Sequence, residues 1–197
     1  GRSAEDTAAR SGKQTRATEL LAEILESGER ALVFTQFRAM GEILVRHLGR
    51  ELGLAGVPFL HGGLRRPARD AIVDAFQNDD SAPPILVVSL KAGGSGLNLT
   101  RATHVLHYDR WWNPAVEDQA SDRAHRIGQN RTVNIHKLVT EGTLEERIAT
   151  MLDDKRGLAG LALGGSGEAW LGPLDDDALR ELAVEGVEAA ARLAGLD

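Results

Sequence analysis

Residues Ile85 to Thr100 read ILVVSLKAGGSGLNLT. The first four are apolar without interruption, which suits a strand covered on both faces, as in a parallel sheet. The chain then enters Lys91, Gly93, Gly94, Ser95 and Gly96. A strand running into such a turn exposes backbone N–H groups where a phosphate could sit, and glycines let it approach closely. This is not a dinucleotide fingerprint, because Leu99 stands where G-x-G-x-x-G needs its last glycine. For a bare Gly-Gly-x-Gly, a tight β-α turn without a ligand is the plain alternative.

The same alternation extends in both directions. Strands are predicted at Ala31–Gln36, Val57–Leu60, Ile85–Ser89, His104–Tyr108 and Val133–Leu138. Amphipathic segments lie between them: Ala17–Glu26 with Leu20, Leu21, Ile24 and Leu25 on one face, and Met40–Leu52 with Ile43, Leu44, His47 and Leu48. Pro67 opens a third helix containing Ile72, Val73 and Phe76, and Pro114 opens a fourth running to about Arg126. Thr143 and Glu146 form a candidate capping box for a fifth. Repeated β-α units predict an α/β fold, a mostly parallel sheet with helices on both faces. The glycine-rich stretch 157–173 reads as a linker, and Leu179, Leu182, Val187 and Leu193 stripe a C-terminal helix. The expected organisation is a flexible leader at 1–13, the lobe at 14–156, the linker at 157–173 and the appended helix at 174–197.

Composition narrows the class. A chain of 197 residues with 42% hydrophobic and 26% charged content can bury one sizeable core. With no cysteine, disulfides and thiolate zinc sites are excluded. No apolar run approaches the roughly 20 residues a bilayer span needs, and no signal-peptide core opens the chain. A soluble, cytoplasmic protein with no membrane partner is expected. The net charge of −6 argues against a uniformly basic nucleic-acid binder, although a groove can be basic on an acidic protein. The first residue is Gly rather than Met, which reads as a fragment of a longer chain.

The string Gln119–Gln129, QASDRAHRIGQ, carries the sharpest chemistry. At about 100° per residue, Gln119, Arg123 and Arg126 fall within about 60° of one another on a helix. Two guanidiniums projecting together suit a multi-oxygen anion such as a triphosphate. The alternative is a solvated face on which Asp122 pairs with Arg126.

QASDRAHRIGQ resembles motif VI of Swi/Snf-type ATPases in helicase superfamily two. The resemblance implies a RecA-like second lobe, with Arg123 and Arg126 as fingers reaching the γ-phosphate of ATP on a first lobe and Gln119 at the same interface. VVSLKAGGSGLNLT (87–100) is similar to motif V, which implies DNA or nucleotide contacts for Lys91, Gly93, Gly94, Gly96 and Asn98; Ser95 departs from the bulkier residue expected. ALVFTQF (31–37) resembles motif IV and LHGG (60–63) the next motif, implying DNA contacts at Thr35, Gln36, His61 and Gly62. YDRWWNP (108–114) resembles the segment between motifs V and VI, with Arg110 where the family usually has proline, and it implies a minor-groove contact for Trp112. The matches run in family order over most of the chain.

No Walker A motif is present, and no Asp-Glu pair ends an apolar strand. ATP and Mg²⁺ are therefore expected mainly on the first lobe of the same polypeptide, with no metal site in this chain. Double-stranded DNA and a larger protein machine are the other expected partners, and the composition and tail suggest a bacterial, nucleoid-associated protein. The competing reading is a stand-alone nucleic-acid-binding module without a motor role. A complete small NTPase and an RNA helicase lobe fit less well.

Overall fold

The computed structural model describes residues 12–89, 97–110, 114–124, 129–143, 145–146 and 149–150. The expected linker at 157–173 and the appended helix at 174–197 lie outside these residues, as does the leader up to residue 11. The chain divides into two compact units, residues 1–111 with 115–138 and residues 112–114 with 139–197.

The first unit contains the sheet. Its strands are β1 (Ala31–Thr35), β2 (Phe59–Leu60), β3 (Ile85–Ser89), β4 (His104–His107) and β5 (Asn134–Lys137), in the order β2-β3-β1-β4-β5 with every pairing parallel. The central register sets Ala31 against both Ile85 and His104. Four helices accompany the strands: α1 (Gly12–Glu26), α2 (Arg38–Glu51), α3 (Arg66–Asn78) and α4 (Pro114–Ser121). All five strands occupy the segments expected from apolar runs.

Period-2 alternation divides the core between two faces. Ala31, Val33, Ile85, Val87 and Leu106 pack on one side with Leu21 and Ile24 of α1 and Leu44 and Leu48 of α2. Leu32, Phe34, Leu86, Val88 and Val105 pack on the other with Phe76 of α3 and Ala120 of α4. A sheet covered on both faces needs unbroken apolar strands, which is why β1 and β3 are buried throughout.

Helix α1 begins five residues before the expected Ala17. Its first turn, GKQTR, has no apolar period, yet Gln14 is buried and the Lys13 ammonium sits 5.4 Å from the Tyr108 ring centroid. The helix ends in a Schellman motif: Gly28 takes φ 70°, its N–H donates to the Leu25 carbonyl, and Glu29 N–H reaches back to Ile24. Helix α4 stops at Ser121, short of the expected Arg126. Asp122 N–H still bonds to Asp118, but Arg123 N–H goes to Ala120 and Ala124 N–H to Ser121. The last bonds are thus three-residue steps, and the turn tightens.

The described part of the second unit is a helix start. Thr143 Oγ1 accepts from Glu145 N–H at 3.3 Å, and the Glu146 carboxylate accepts from Gly142 N–H at 2.8 Å. This is the expected reciprocal cap with each bond shifted by one residue. Among the described residues no helix is long and apolar enough to cross a membrane.

Candidate nucleotide and nucleic-acid interface at the carboxyl edge

The connection leaving β1 runs toward β2, while that leaving β4 runs toward β5, so the sheet's direction of winding reverses between these two neighbours. In open α/β sheets a crevice outside the carboxyl ends of strands at such a point is the usual ligand position. Here the two strand ends are bonded together. Thr35 Oγ1 donates to Asp109 Oδ2, Gln36 N–H donates to the same oxygen at 3.2 Å, and Gln36 Nε2 donates to the Arg110 carbonyl. Thr35 was expected to face DNA, but it is fully buried. Its hydroxyl turns inward to Asp109 because a buried hydroxyl needs a partner. Gln36 is half-buried, and Phe37, which follows it, is 60% exposed.

At the end of β2, His61 Nδ1 accepts from Gly63 N–H at 3.1 Å, and its ring lies 4.9 Å from that of Phe59. That bond forms a short turn in which Gly62 is exposed and His61 half-exposed. Both stay available to a ligand on this edge. Of the glycine-rich turn after β3, Lys91, Gly93, Gly94 and Gly96 lie outside the described residues. Asn98, which is exposed, and Leu97 resume the chain.

The arginine segment departs from the expected geometry. Gln119 is exposed on α4, whereas Arg123 is 8% exposed and lies beyond the helix end. The two therefore differ in exposure. Tightening after Ser121 rotates the chain by about 120° per residue rather than 100°. The Arg123 carbonyl accepts from Leu99 N–H at 2.9 Å, tying this turn to the connection that follows β3. Arg126 and Trp112 lie outside the described residues.

Two further features were not anticipated. Gln129, the last residue of the string, places Nε2 within hydrogen-bond distance of the carbonyls of Thr100 (2.7 Å), Ala102 (3.1 Å) and Ala124 (3.2 Å), and its Oε1 accepts from Arg131 N–H. The side chain is a staple rather than a ligand contact; nothing in the string distinguishes the two roles. The second is a buried ionic cluster. Arg110 Nε meets Glu117 Oε1 at 2.9 Å, Arg110 Nη2 meets Oε2 at 3.4 Å, and Lys137 Nζ lies 3.1 Å from Oε2. The Arg110 and Glu117 side chains are 3% and 0% exposed. Arginine in the place of an expected proline was the only sequence signal for it.

Next to this cluster His107 is fully buried and stacks on Phe34 at 5.6 Å. Burial pushes its imidazole down to about 4, so it is neutral near pH 7. Ser121 Oγ donates to the Glu117 carbonyl at 3.0 Å, leaving its lone pair for His107 Nε2–H at 2.9 Å. No group of three or more His, Asp or Glu among the described residues could hold a metal ion. Among the described residues the accessible polar groups of this edge include the half-buried Gln36 and His61 beside the exposed Gly62, a neutral set that can meet phosphate oxygens.

Comparison with known proteins agrees with this architecture. Residues 15–128 match the family described as helicase conserved C-terminal domain. The Sulfolobus solfataricus SWI2/SNF2 ATPase C-terminal domain is 42% identical, with a TM-score of 0.64 over 89% of this chain and 69% of that one. A structure of the Sulfolobus solfataricus SWI2/SNF2 ATPase core in complex with dsDNA is 49% identical, with a TM-score of 0.65 over 76% of this chain and 31% of that one. The Bacillus subtilis protein YwqA, which carries the name of an ATP-dependent helicase/translocase, is 47% identical over 175 residues, 89% of this chain. The chain spans only 18% of that relative's length. Five parallel strands with helices on both faces are the RecA-like lobe of these C-terminal domains. By sequence and by fold, the chain belongs to the helicase conserved C-terminal domain family, in its SWI2/SNF2 ATPase branch.

Proposed function

We propose that this chain is the second motor lobe of a SWI2/SNF2-type ATPase that couples ATP hydrolysis to movement along double-stranded DNA. A first lobe of the same polypeptide holds ATP and Mg²⁺, and this lobe completes the cleft. The supporting observation is the bonding of the relevant segments to one another. The ends of β1 and β4 are bonded to each other, and the connection after β3 is bonded to the arginine turn through Leu99 and Arg123. A relative 49% identical to this chain, solved as an ATPase core with dsDNA, supports the choice of ligand.

In this proposal Arg126 is the finger that meets the γ-phosphate when the lobes close. Gly94, Gly96, Asn98 and Gln119 line the nucleotide side. Gln36, His61, Gly62, Lys91, Gly93 and Trp112 face DNA. Thr35 and Arg123, both buried, support those groups from inside the lobe. Closure and reopening shift the lobe's grip along the DNA backbone, because nucleotide and DNA bias the same two-state hinge. An arginine finger contributes on the order of 10³–10⁵ in rate. In the full-length protein, Arg126→Ala is expected to lower duplex-stimulated ATP hydrolysis by roughly 10³-fold. Near-normal turnover in a steady-state assay would remove the finger from the mechanism.

A further inference from the structure

We infer that Arg110 and Glu117 form a positioning clamp that sets the arginine turn relative to the DNA-facing end of β1. Arg110 is held at both ends. Its carbonyl accepts from Gln36 Nε2, while its guanidinium forks onto Glu117 at 2.9 and 3.4 Å. Asp109, the preceding residue, takes the Thr35 hydroxyl and Gln36 N–H. From Glu117 the path continues along α4: the Glu117 carbonyl takes Ser121 Oγ–H, and two residues later the Arg123 carbonyl takes Leu99 N–H. Bonded groups thus run from the end of β1 to the turn that precedes Arg126.

Stability alone is a poor reason for this pair. Glu117 is fully desolvated, and apolar residues of similar volume commonly replace such a pair with no loss of stability. What a forked arginine–carboxylate bond adds is direction, because both donors must lie in one plane with both oxygens. Lys137, 26% exposed, adds a second cation to the same carboxylate from β5 without fixing an orientation. The inference rests on the proposed function, since a clamp needs something to position.

The test uses the full-length protein carrying Arg110→Met together with Glu117→Leu, so that neither charge is left buried alone. Lys137 can then reach water along its own stem. The melting temperature is expected to stay within a few degrees of wild type. Turnover at saturating ATP and duplex DNA is expected to fall by roughly tenfold or more, since misplacement by about 1 Å can cost about a hundredfold. The KM for ATP is expected to change by less than about threefold, because the first lobe binds it. Should the double variant fold and keep wild-type duplex-stimulated turnover, the pair is merely structural and the inference falls. Turnover lost only in step with melting temperature overturns it equally. A wild-type protein indifferent to duplex DNA would instead remove the proposed function, and the clamp with it.

Discussion

Among the described residues, His107 is a buried imidazole whose protonation the lobe accommodates poorly. Its folded value near 4 lies below the ordinary 6.5, so between these values the unfolded chain binds more protons than the folded one. Stability from this residue is full above about pH 6.5 and is lost as the pH falls toward 4, amounting to about 3 kcal/mol. His47, His104 and His136 are lowered by burial too, so the slope belongs to several histidines. Replacing His107 with Phe keeps a ring against Phe34 and removes one titration. Urea unfolding of this variant at pH 7 and pH 5 is expected to show a smaller loss than wild type; an equal loss would mean that His107 is not buried neutral. At this scale the sequence was a partial guide. His61, Gly62, Asn98 and Gln119 do lie at positions at least partly exposed. Thr35 and Arg123 do not, because polarity reads as exposure until the partner is known. Asp109 lies 74 positions from Thr35, and no local pattern announces the bond.

At the level of elements, the strands were legible because a doubly covered strand has no polar face to confuse. ILVVS at 85–89 is the plainest case, matching β3 residue for residue. Helix ends were harder. The start of α1 is held by tertiary packing of Gln14 and Lys13, and the close of α4 by the Leu99–Arg123 bond. Neither leaves a period in the sequence, so Arg123 falls beyond the helix end, while Arg126 of the supposed stripe lies outside the described residues. Packing also makes a prediction at α2. A Cβ at Gly41 would lie 2.2 to 2.8 Å from three Phe59 ring atoms, so α2 and β2 approach too closely there for any side chain. In an unhindered helix, Gly→Ala stabilises by about 1 kcal/mol. Here overpacking costs about 1–3 kcal/mol and outweighs that gain. Gly41→Ala is expected to lower the melting temperature by roughly 3–6 °C. A rise in a thermal scan would mean that the Phe59 ring swings aside freely.

For the whole molecule, charge and topology point the same way. A chain of net charge −6 does not hold DNA by a uniform basic surface. In the proposal, the DNA-side groups that are described, Gln36, His61 and Gly62, follow the carboxyl ends of β1 and β2. The ionic cluster of Arg110, Glu117 and Lys137 stands behind that edge, with two cations sharing one carboxylate. In the proposed function, a lobe built this way completes a reaction site that another lobe begins. Steady-state ATP hydrolysis by the full-length protein and by these 197 residues alone, each with and without duplex DNA, tests that division of labour directly. The full-length protein is expected to hydrolyse ATP faster when duplex is added, and the isolated chain is expected not to hydrolyse it under either condition. Turnover by the isolated chain with Mg²⁺ and ATP would contradict the account at its root.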